Sequence, residues 1–587
     1  MSICIKMTKN ALISVFNKNN IIDLAKYLVA NDYNILSTGG TAKLLRENNI
    51  SVTNISDYTS YPEILNGRVK TLHPKIYGGL LNIRNNQDHN AQCSDLNINN
   101  IDVVVVNLYP FSDVVQSNPN DRELCIENID IGGVSLLRAA SKNYNDVTVL
   151  SHPNQYEQFM NNNYDNKELA LDAFKVTSSY DSLISNWLSD GRYITQNYEV
   201  LNNLKYGCNP YQDNARILKN VNNNFPFEIL NGSPGYINIL DAINSWALVF
   251  ELKVSLTLQA AASFKHTSPA GVAIYKELSS EEKEHFNMGD DLSTIAQTYI
   301  RARDCDPKSS FGDFIAVNSN VDVSLAKVIK SLVTDGIIAP SYDDEAFEIL
   351  KQKKKGNFII LQGNQHILDH NVEYRQFKNC VLSQSSNVRI IDTSDLNTIV
   401  TKNKFLTHKQ INDMIMALVT LKYTQSNSVG YAYNGQMIGI GAGQQSRIDC
   451  VRLARMKAET WFLRNHPIIR SLKFVENIKR QDRVNAIISY IEDDFTPVEY
   501  NRWLSNFTEN PPQFTHEEKR KYLHDVRGVI LASDAFFPFR DSIDKASKIG
   551  VTCVVQPGGS IADENVIEAC NEYNMVMVNT NIRLFHH

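Results

Sequence analysis

The sequence lacks the cysteine pairs that would place it among zinc or disulfide proteins. Its nine cysteines, at positions 4, 93, 125, 208, 305, 380, 450, 553 and 570, form no CxxC and fit a reducing cytoplasm. There is no HExxH and no Walker loop, so zinc-protease chemistry and P-loop ATP hydrolysis have no basis here. Long apolar runs are missing: Val103 to Val106 falls far short of the roughly 20 residues that span a bilayer. No basic segment followed by an apolar one opens the chain, so a secreted protein is not expected. Positive charge is not in excess. A net charge of −6 argues against a general nucleic-acid binder but leaves room for a local basic pocket. Low-complexity tails and fixed-period repeats are absent. At 587 residues the chain is too long for one core, and two to four domains are expected.

The first 150 or so residues alternate strands and helices. Ala11 to Phe16 is a short apolar run, after which Asn19 or Asn20 can cap a helix with Ile21, Ile22, Leu24, Ala25, Leu28 and Val29 on one face. Asn34 to Ser37 is a second strand, broken by Thr38-Gly39-Gly40 before a helix from Thr41. Ile101 to Leu108 has the continuous apolar character of a strand buried on both faces. This is α/β architecture with a parallel sheet, in which ligands gather where strand ends meet helix N-termini. From 154 to 197 the pattern becomes helical and polar, which sets a domain boundary near 197. Beyond it, Asp241 to Lys253 reads as a helix, Leu258 to Phe264 as a buried strand and Ser293 to Arg303 as another helix. A second boundary falls between about 380 and 405, giving domains 1–197, 198–390 and 391–587.

Glycine-bearing turns carry the chemistry of the first domain. Thr38-Gly39-Gly40-Thr41 and Asp130-Ile131-Gly132-Gly133 each precede a helix, whose backbone N–H groups suit a phosphate. Between them Arg68 and Lys70 share one side of an extended segment. Each turn alone is more often an ordinary tight turn, and Lys142 can be read simply as a cation favourably placed at a helix C-terminus. Further on, Ala260 to Phe264 leads an apolar strand into Lys265-His266, two titratable side chains beside a Ser-Pro-Ala-Gly turn. A histidine satisfied in a core with its lysine reaching solvent is one reading; a proton-transfer group beside a cation is the other. Tyr423 to Val429 packs amides and hydroxyls between apolar strands. The Gly439 to Arg447 run lacks dinucleotide-fingerprint spacing and is more consistent with a phosphate clamp. Ser533 to Asp541 mixes aromatics with charges, and the apolar residues of the last segment suggest a docked tail.

Together these segments closely resemble the bifunctional AICAR transformylase/IMP cyclohydrolase family, AICAR being 5-aminoimidazole-4-carboxamide ribonucleotide. The resemblance runs over essentially the whole chain, through SVFNK, STGGTA, GRVKTLHP, NLYPF, IDIGG, KYGCNP, SFKHTSPAG, SSFGDF, YTQSNS, GAGQQSR, SDAFFPFRD and PGGS. The length and the terminal RLFHH look like the longer, eukaryote-type branch. The resemblance implies an N-terminal cyclohydrolase of methylglyoxal-synthase-like fold and a C-terminal transformylase of two cytidine-deaminase-like subdomains without catalytic metal. It also implies a cytoplasmic homodimer whose transformylase sites lie across the subunit interface, binding neither nucleic acid nor membrane. A structural potassium ion near the Tyr423–Val429 turn is compatible with it.

By this resemblance the transformylase moves a formyl group from 10-formyltetrahydrofolate to AICAR, giving formyl-AICAR and a reduced folate. His266 would act as general base and Lys265 would stabilise the developing oxyanion. Matching positions for AICAR are Lys205, Tyr206, Gly312, Asp335, Asn427, Arg447, Phe536 and Arg583, with Ile448, Asp541, Ser560 and Ile561 on the folate side. The cyclohydrolase would then close formyl-AICAR to IMP with loss of water. Its matching residues are Phe16, Asn17, Lys18, Thr38, Gly39, Gly40, Thr41, Arg68, Val69, Lys70, Thr71, Val106, Asn107, Asp130 and Ile131. Lys142 is implied as the proton donor and acceptor, assisted by Tyr109, Lys70 and Asp130. Three positions depart from the family pattern: Lys205 replaces arginine, Cys208 methionine and Tyr211 histidine. A lysine keeps the charge but loses the bidentate fork, so weaker AICAR affinity is expected. A binding regulator with decayed centres, and an enzyme keeping only the cyclohydrolase half, are the rival readings. Retention of Lys265, His266, Lys70 and Lys142 argues against the first.

Overall fold

The computed structural model describes residues 9–587, except 222, 287, 289 and 290 and the side chain of His285. The chain divides into two compact units, Met1–Tyr198 and Glu199–His587.

The first unit is built on a five-stranded parallel sheet: β1 (Lys9–Val15), β2 (Tyr33–Ser37), β3 (Thr53–Asn54), β4 (Val103–Asn107) and β5 (Thr148–Leu150), in the order β3-β2-β1-β4-β5. Its centre explains the unbroken valines of β4. Helices cover both faces, so Val103 to Val106 are all buried and none needs to alternate with a polar residue. β1 lies between β2 and β4, with Leu12 beside both Leu36 and Val104. Because every strand runs the same way, the ends of β1, β2 and β4 share one edge. There they hand over to the helices Ile21–Ala30 and Gly39–Glu47 and to the loop before Phe111.

The second unit holds an eleven-stranded mixed sheet, with a ribbon of β6 (Tyr198–Asn203) and β7 (Arg216–Asn220) at its start. The sheet comprises β8 (Phe227–Asn231), β9 (Ala260–Lys265), β10 (Ser268–Ile274), β11 (Asp313–Val317), β12 (Thr334–Ala339) and β13 (Ile359–Gly363). A separate exposed hairpin, β14 (Val372–Phe377) and β15 (Cys380–Ser385), is followed by β16 (Val429–Tyr433), β17 (Gln436–Gly441), β18 (Val529–Ser533), β19 (Val551–Gln556) and β20 (Val576–Asn579) of the large sheet. The order β20-β19-β18-β16-β17-β10-β9-β11-β12-β13-β8 contains a duplication that no fixed sequence period announces. In each half a long helix precedes an antiparallel hairpin, then a second helix, then three parallel strands. These are Tyr236–Leu256, β9–β10, Thr294–Asp304 and β11 to β13; then His408–Lys422, β16–β17, Arg447–Leu463 and β18 to β20. The halves meet where β10 pairs antiparallel with β17, Ala273 opposite Gln436.

Matching small residues keep the layers tight. A Cβ on Gly271 in β10 would strike the carbonyl of Ala302, and one on Gly439 in β17 the carbonyl of Ala454, so each hairpin admits its helix only through glycine. The second half carries four extra helices, Pro467–Arg470, Arg480–Glu492, Pro497–Leu504 and His516–His524, before its parallel strands. Among the described residues no helix is long and apolar enough to cross a membrane.

Candidate active sites

In the first unit the strand-end edge gathers most of the residues singled out from the sequence. Asn107, at the end of β4, accepts the N–H groups of Phe16 and Asn17 on Oδ1 at 2.7 Å each and donates through Nδ2 to the Asn17 carbonyl at 3.0 Å. Its amide is thereby spent on holding the β1 exit loop. Lys18 turns back to donate to Val15 O and, at 2.9 Å, to Thr41 Oγ1, and burial pulls its ammonium below the usual lysine range. Thr38 precedes the helix Gly39–Glu47 without a side-chain cap, and nothing lies within 4 Å of the direction a Gly40 side chain would take. The first N–H groups of that helix thus have no side-chain cap from Thr38, an arrangement that suits phosphate oxygens.

Lys70 stands beside this turn: its Nζ lies 3.9 Å from where a Gly39 Cβ would be, and it pairs with Glu63 at 3.0 Å. Arg68 instead reaches Glu127. Thr71 is buried with its Oγ1 against Gly132. Asp130 accepts the N–H of Gly133 at 2.6 Å and that of Tyr109, while its own N–H donates to the Tyr180 hydroxyl at 2.8 Å. Burial pushes the Asp130 carboxyl up, outweighing those two donors. Tyr109 and Phe16 are about half exposed and pack with ring centroids 5.5 Å apart, an apolar wall beside the charged groups. Ile131 is exposed, Val69 is half-buried, and the Val106 side chain points into the core, so Val106 has only backbone to offer a ligand.

Lys142 is not brought to this cluster. The helix Gly132–Lys142 starts at the strand-end edge, and nine residues at 1.5 Å each put Lys142 about 13 Å from Gly133, exposed at the far end. Sequence reasoning missed Glu63 and Tyr180, which anchor Lys70 and Asp130; no local pattern marks either.

In the second unit Lys265 and His266 sit on a two-residue hairpin turn. Lys265 pairs with Ser268, and both intervening residues are left-handed, His266 at φ 55° and Thr267 at φ 60°. That is the backbone of a type I′ turn, which favours Asn-Gly, and a β-branched threonine is costly there. The turn is held from below. Asp241, buried in the helix Tyr236–Leu256, accepts the Thr267 N–H at 2.6 Å and also the His266 N–H. Burial raises the Asp241 carboxyl to about 6, against the pull of those donors. Asp241 was not foreseen, although a lone carboxylate among Ile239, Ala242, Ser245 and Trp246 on a buried face was the available signal. His266 is left exposed. Lys265 donates to the Phe311 carbonyl at 2.7 Å, next to the left-handed Gly312. Asp335, at the start of β12, pairs with Lys354 at 2.6 Å and lies close enough to act on Asp241. Tyr206 packs on Gly235, and the Lys205 N–H donates to Pro234 O, which sets both residues at the N-terminus of the Asp241 helix.

The same sheet edge continues through β10 into the other half, where the Gln425 N–H reaches Ser268 Oγ at 3.4 Å. Arg447, only 8% exposed, is paired with Asp534 and donates to Ser428 O and Asn427 Oδ1. Asn427 in turn donates to Gln444 O and Gln445 O. These two side chains are therefore mutually satisfied, not open arms. Phe536 and Arg583 are exposed nearby, the tail being docked by Leu584 N–H on Asp534 O and by the His586–Ser426 backbone pairing. Ile448 follows Arg447 at the helix N-terminus; Ser560 is half-buried and Ile561 fully exposed, both beyond β19; Asp541 begins the helix after Phe536. No group of three His, Cys, Asp or Glu gathers as a metal site among the described residues.

Comparison with known proteins gives two family matches: a model described as "AICARFT/IMPCHase bienzyme" over residues 140–457 and one described as "MGS-like domain" over residues 20–135. The "Bifunctional purine biosynthesis protein PurH" of Clostridium perfringens is 34% identical, with 99% of this chain and 100% of that protein covered. Its namesake in Clostridium botulinum is 35% identical over the same shares. A solved structure titled "Crystal structure of ForH" is 29% identical but covers 31% of this chain, at a TM-score of 0.28.

Proposed function

The chain belongs to the AICARFT/IMPCHase bienzyme family, and from that premise we propose how its two units divide the chemistry. It is a bifunctional purine-biosynthesis enzyme with formyltransferase and cyclohydrolase activities. The formyl transfer is assigned to the Lys265–His266 turn. The AICAR amine attacks the formyl carbon of 10-formyltetrahydrofolate. His266 takes the proton that the amine loses, Lys265 faces the oxyanion, and the folate nitrogen leaves and is protonated. Lys205, Tyr206, Gly312, Asp335, Asn427, Arg447, Phe536 and Arg583 are proposed for the nucleotide, and Ile448, Asp541, Ser560 and Ile561 for the folate. The observation that carries this reading is an exposed histidine on a strained two-residue turn beside a lysine.

Ring closure is assigned to the strand-end edge of the first unit. The carboxamide nitrogen of formyl-AICAR attacks its own formyl carbon, and water departs; holding both groups together supplies much of the rate. The phosphate would rest on Thr38 to Thr41, with Lys18 and Arg68 around it and Asn107 fixing the loop. Lys70, Tyr109 and Asp130 are proposed for the proton movements, with Lys142 outside reach in a single chain. Incubation with AICAR and 10-formyltetrahydrofolate tests both halves. His266→Ala should stop consumption of the two substrates, and Lys70→Met should let formyl-AICAR accumulate. A His266→Ala enzyme that still consumed both would end the assignment.

Two finer points go with this reading. A second copy of the chain is proposed to cover the β14–β15 hairpin, where Val372, Phe377, Val381 and Leu382 are each more than half exposed. A potassium ion is proposed beside Asp534, where Ser428 Oγ is buried without a partner and oxygen ligands prevail. Exchanging potassium for tetramethylammonium should lower the melting temperature; no change would remove the ion.

A further inference from the structure

The duplication in the second unit sets a reference beside the catalytic turn. In the second half the hairpin β16–β17 is closed by Asn434 and Gly435, both left-handed at φ 58° and 74°. Beneath it Asp413, buried in the helix His408–Lys422, accepts the Asn434 N–H on Oδ2 at 3.0 Å and the Gly435 N–H on Oδ1 at 2.6 Å. The first half repeats this device with Asp241 under His266 and Thr267. The two helices correspond, the two hairpins correspond, and each carboxylate receives both turn N–H groups.

The turns differ in what they need. Asn-Gly adopts the type I′ backbone by itself, so Asp413 only ratifies a conformation its sequence already prefers. His-Thr does not: a threonine with positive φ is a rare outlier, and strain of this kind persists only where surrounding structure over-determines it. A relaxed turn would carry the imidazole away from Lys265 and from the Phe311 carbonyl that Lys265 binds.

We propose that Asp241 is a positioning residue for formyl transfer, its carboxylate imposing the left-handed turn that aims His266. The inference rests on the reading of Lys265–His266 as the transferase centre. Asp241 touches neither reacting group; it acts through the two N–H groups it holds. His-Thr is thus kept where it delivers an exposed histidine from the end of a buried strand.

The twin supplies the control. Asp241→Asn keeps the size but offers one acceptor where two N–H groups need them, and is expected to lower kcat for formyl transfer about a hundredfold with little change in the KM for AICAR. Asp413→Asn, equally buried under its own turn, should lose comparable thermal stability yet keep kcat within about twofold. Ring closure of supplied formyl-AICAR, carried by the first unit, reports that the protein is otherwise intact. Adding Thr267→Gly, which enters the left-handed region freely, should restore a large part of the Asp241→Asn loss. Equal kcat losses in the Asp241 and Asp413 variants, or no rescue by Thr267→Gly, would overturn the proposal. If Asp241→Asn fails to fold, Thr267→Gly added to it decides: recovery of folding without formyl transfer also counts against it. A His266→Ala enzyme with full formyl transfer would instead overturn the reading of the site.

Discussion

His266 and Thr267 occupy backbone positions for which their own side chains are poorly suited. Each left-handed L-residue costs on the order of 1–2 kcal/mol, and the pair is held by a carboxylate whose burial is itself unfavourable. Concentrating strain where the chemistry is expected sets this turn apart from its Asn434-Gly435 twin. Lys205 is the other residue whose identity matters. Its backbone is fixed at Pro234 O while its side chain is exposed, so replacing the point charge by a fork needs no repacking. Lys205→Arg should lower the KM for AICAR, and an unchanged or higher KM would show that the fork is not used. The two lysines of the first unit can be separated likewise. Lys70→Met should slow ring closure of supplied formyl-AICAR by about a hundredfold, the scale of a lost proton-transfer group. Lys142→Met is expected to cost less, because Lys142 ends its helix on the far side; the reverse ranking would put the proton carrier outside the strand-end cluster.

Among the elements, the paired helices under the two hairpins decide the pH response. Asp241 and Asp413 both titrate at about 6 when folded, against an ordinary value of 3.8, chiefly because burial disfavours the charge. An acid raised in this way binds its proton first in the folded chain. Stability is therefore full below about 3.8 and falls as pH rises through about 6, by roughly 3 kcal/mol for each group. Around Asp413 the neighbours Lys409 and Arg301 oppose the effect, and around Asp241 His266 opposes it while Asp335 adds to it. Asp413→Asn should flatten part of this slope, measured by denaturant unfolding at pH 4.5 and 7; an unaltered slope would mean the carboxyl titrates normally. The same two helices are tied by a buried ion pair, Lys422 to Glu251 at 2.7 Å, with the Tyr423 hydroxyl and Ile391 N–H completing the carboxylate. Lys422→Met leaves Glu251 charged and unpaired, so unfolding should become easier by about 3–5 kcal/mol.

Over the whole molecule, one sheet in the second unit carries the edge proposed for formyl transfer. Because β10 and β17 run antiparallel, the start of β10 and the end of β17 share an edge, and residues 150 or more apart in sequence arrive there together. The cluster of the first unit arises differently, from parallel strands that all end on one side. The exposed β14–β15 hairpin belongs to neither sheet. Leu382→Asp combined with Phe377→Asp should shift the sedimenting species from dimer toward monomer; a wild-type chain that sediments as a monomer would remove the reason for the hairpin's apolar face.

Much of the architecture was legible because periodicity and burial act locally. The valine run of β4, the glycine turns at Thr38 and Asp130, and the apolar strand leading into Lys265 each follow from a few neighbouring residues. What escaped was long-range. The duplication has no common period, because its second half carries an insertion of four helices and its equivalent turns share no residue type. Asp241 lies 25 positions from the turn it holds, Glu63 and Tyr180 reach their partners across loops, and Lys142 is separated from Gly133 by helix length alone. Local chemistry in the sequence determined which side chains stand as candidates for its two reactions. Only packing between distant strands and helices decided which of them meet, which are already satisfied by other protein groups, and which turn is forced into a shape its own residues resist.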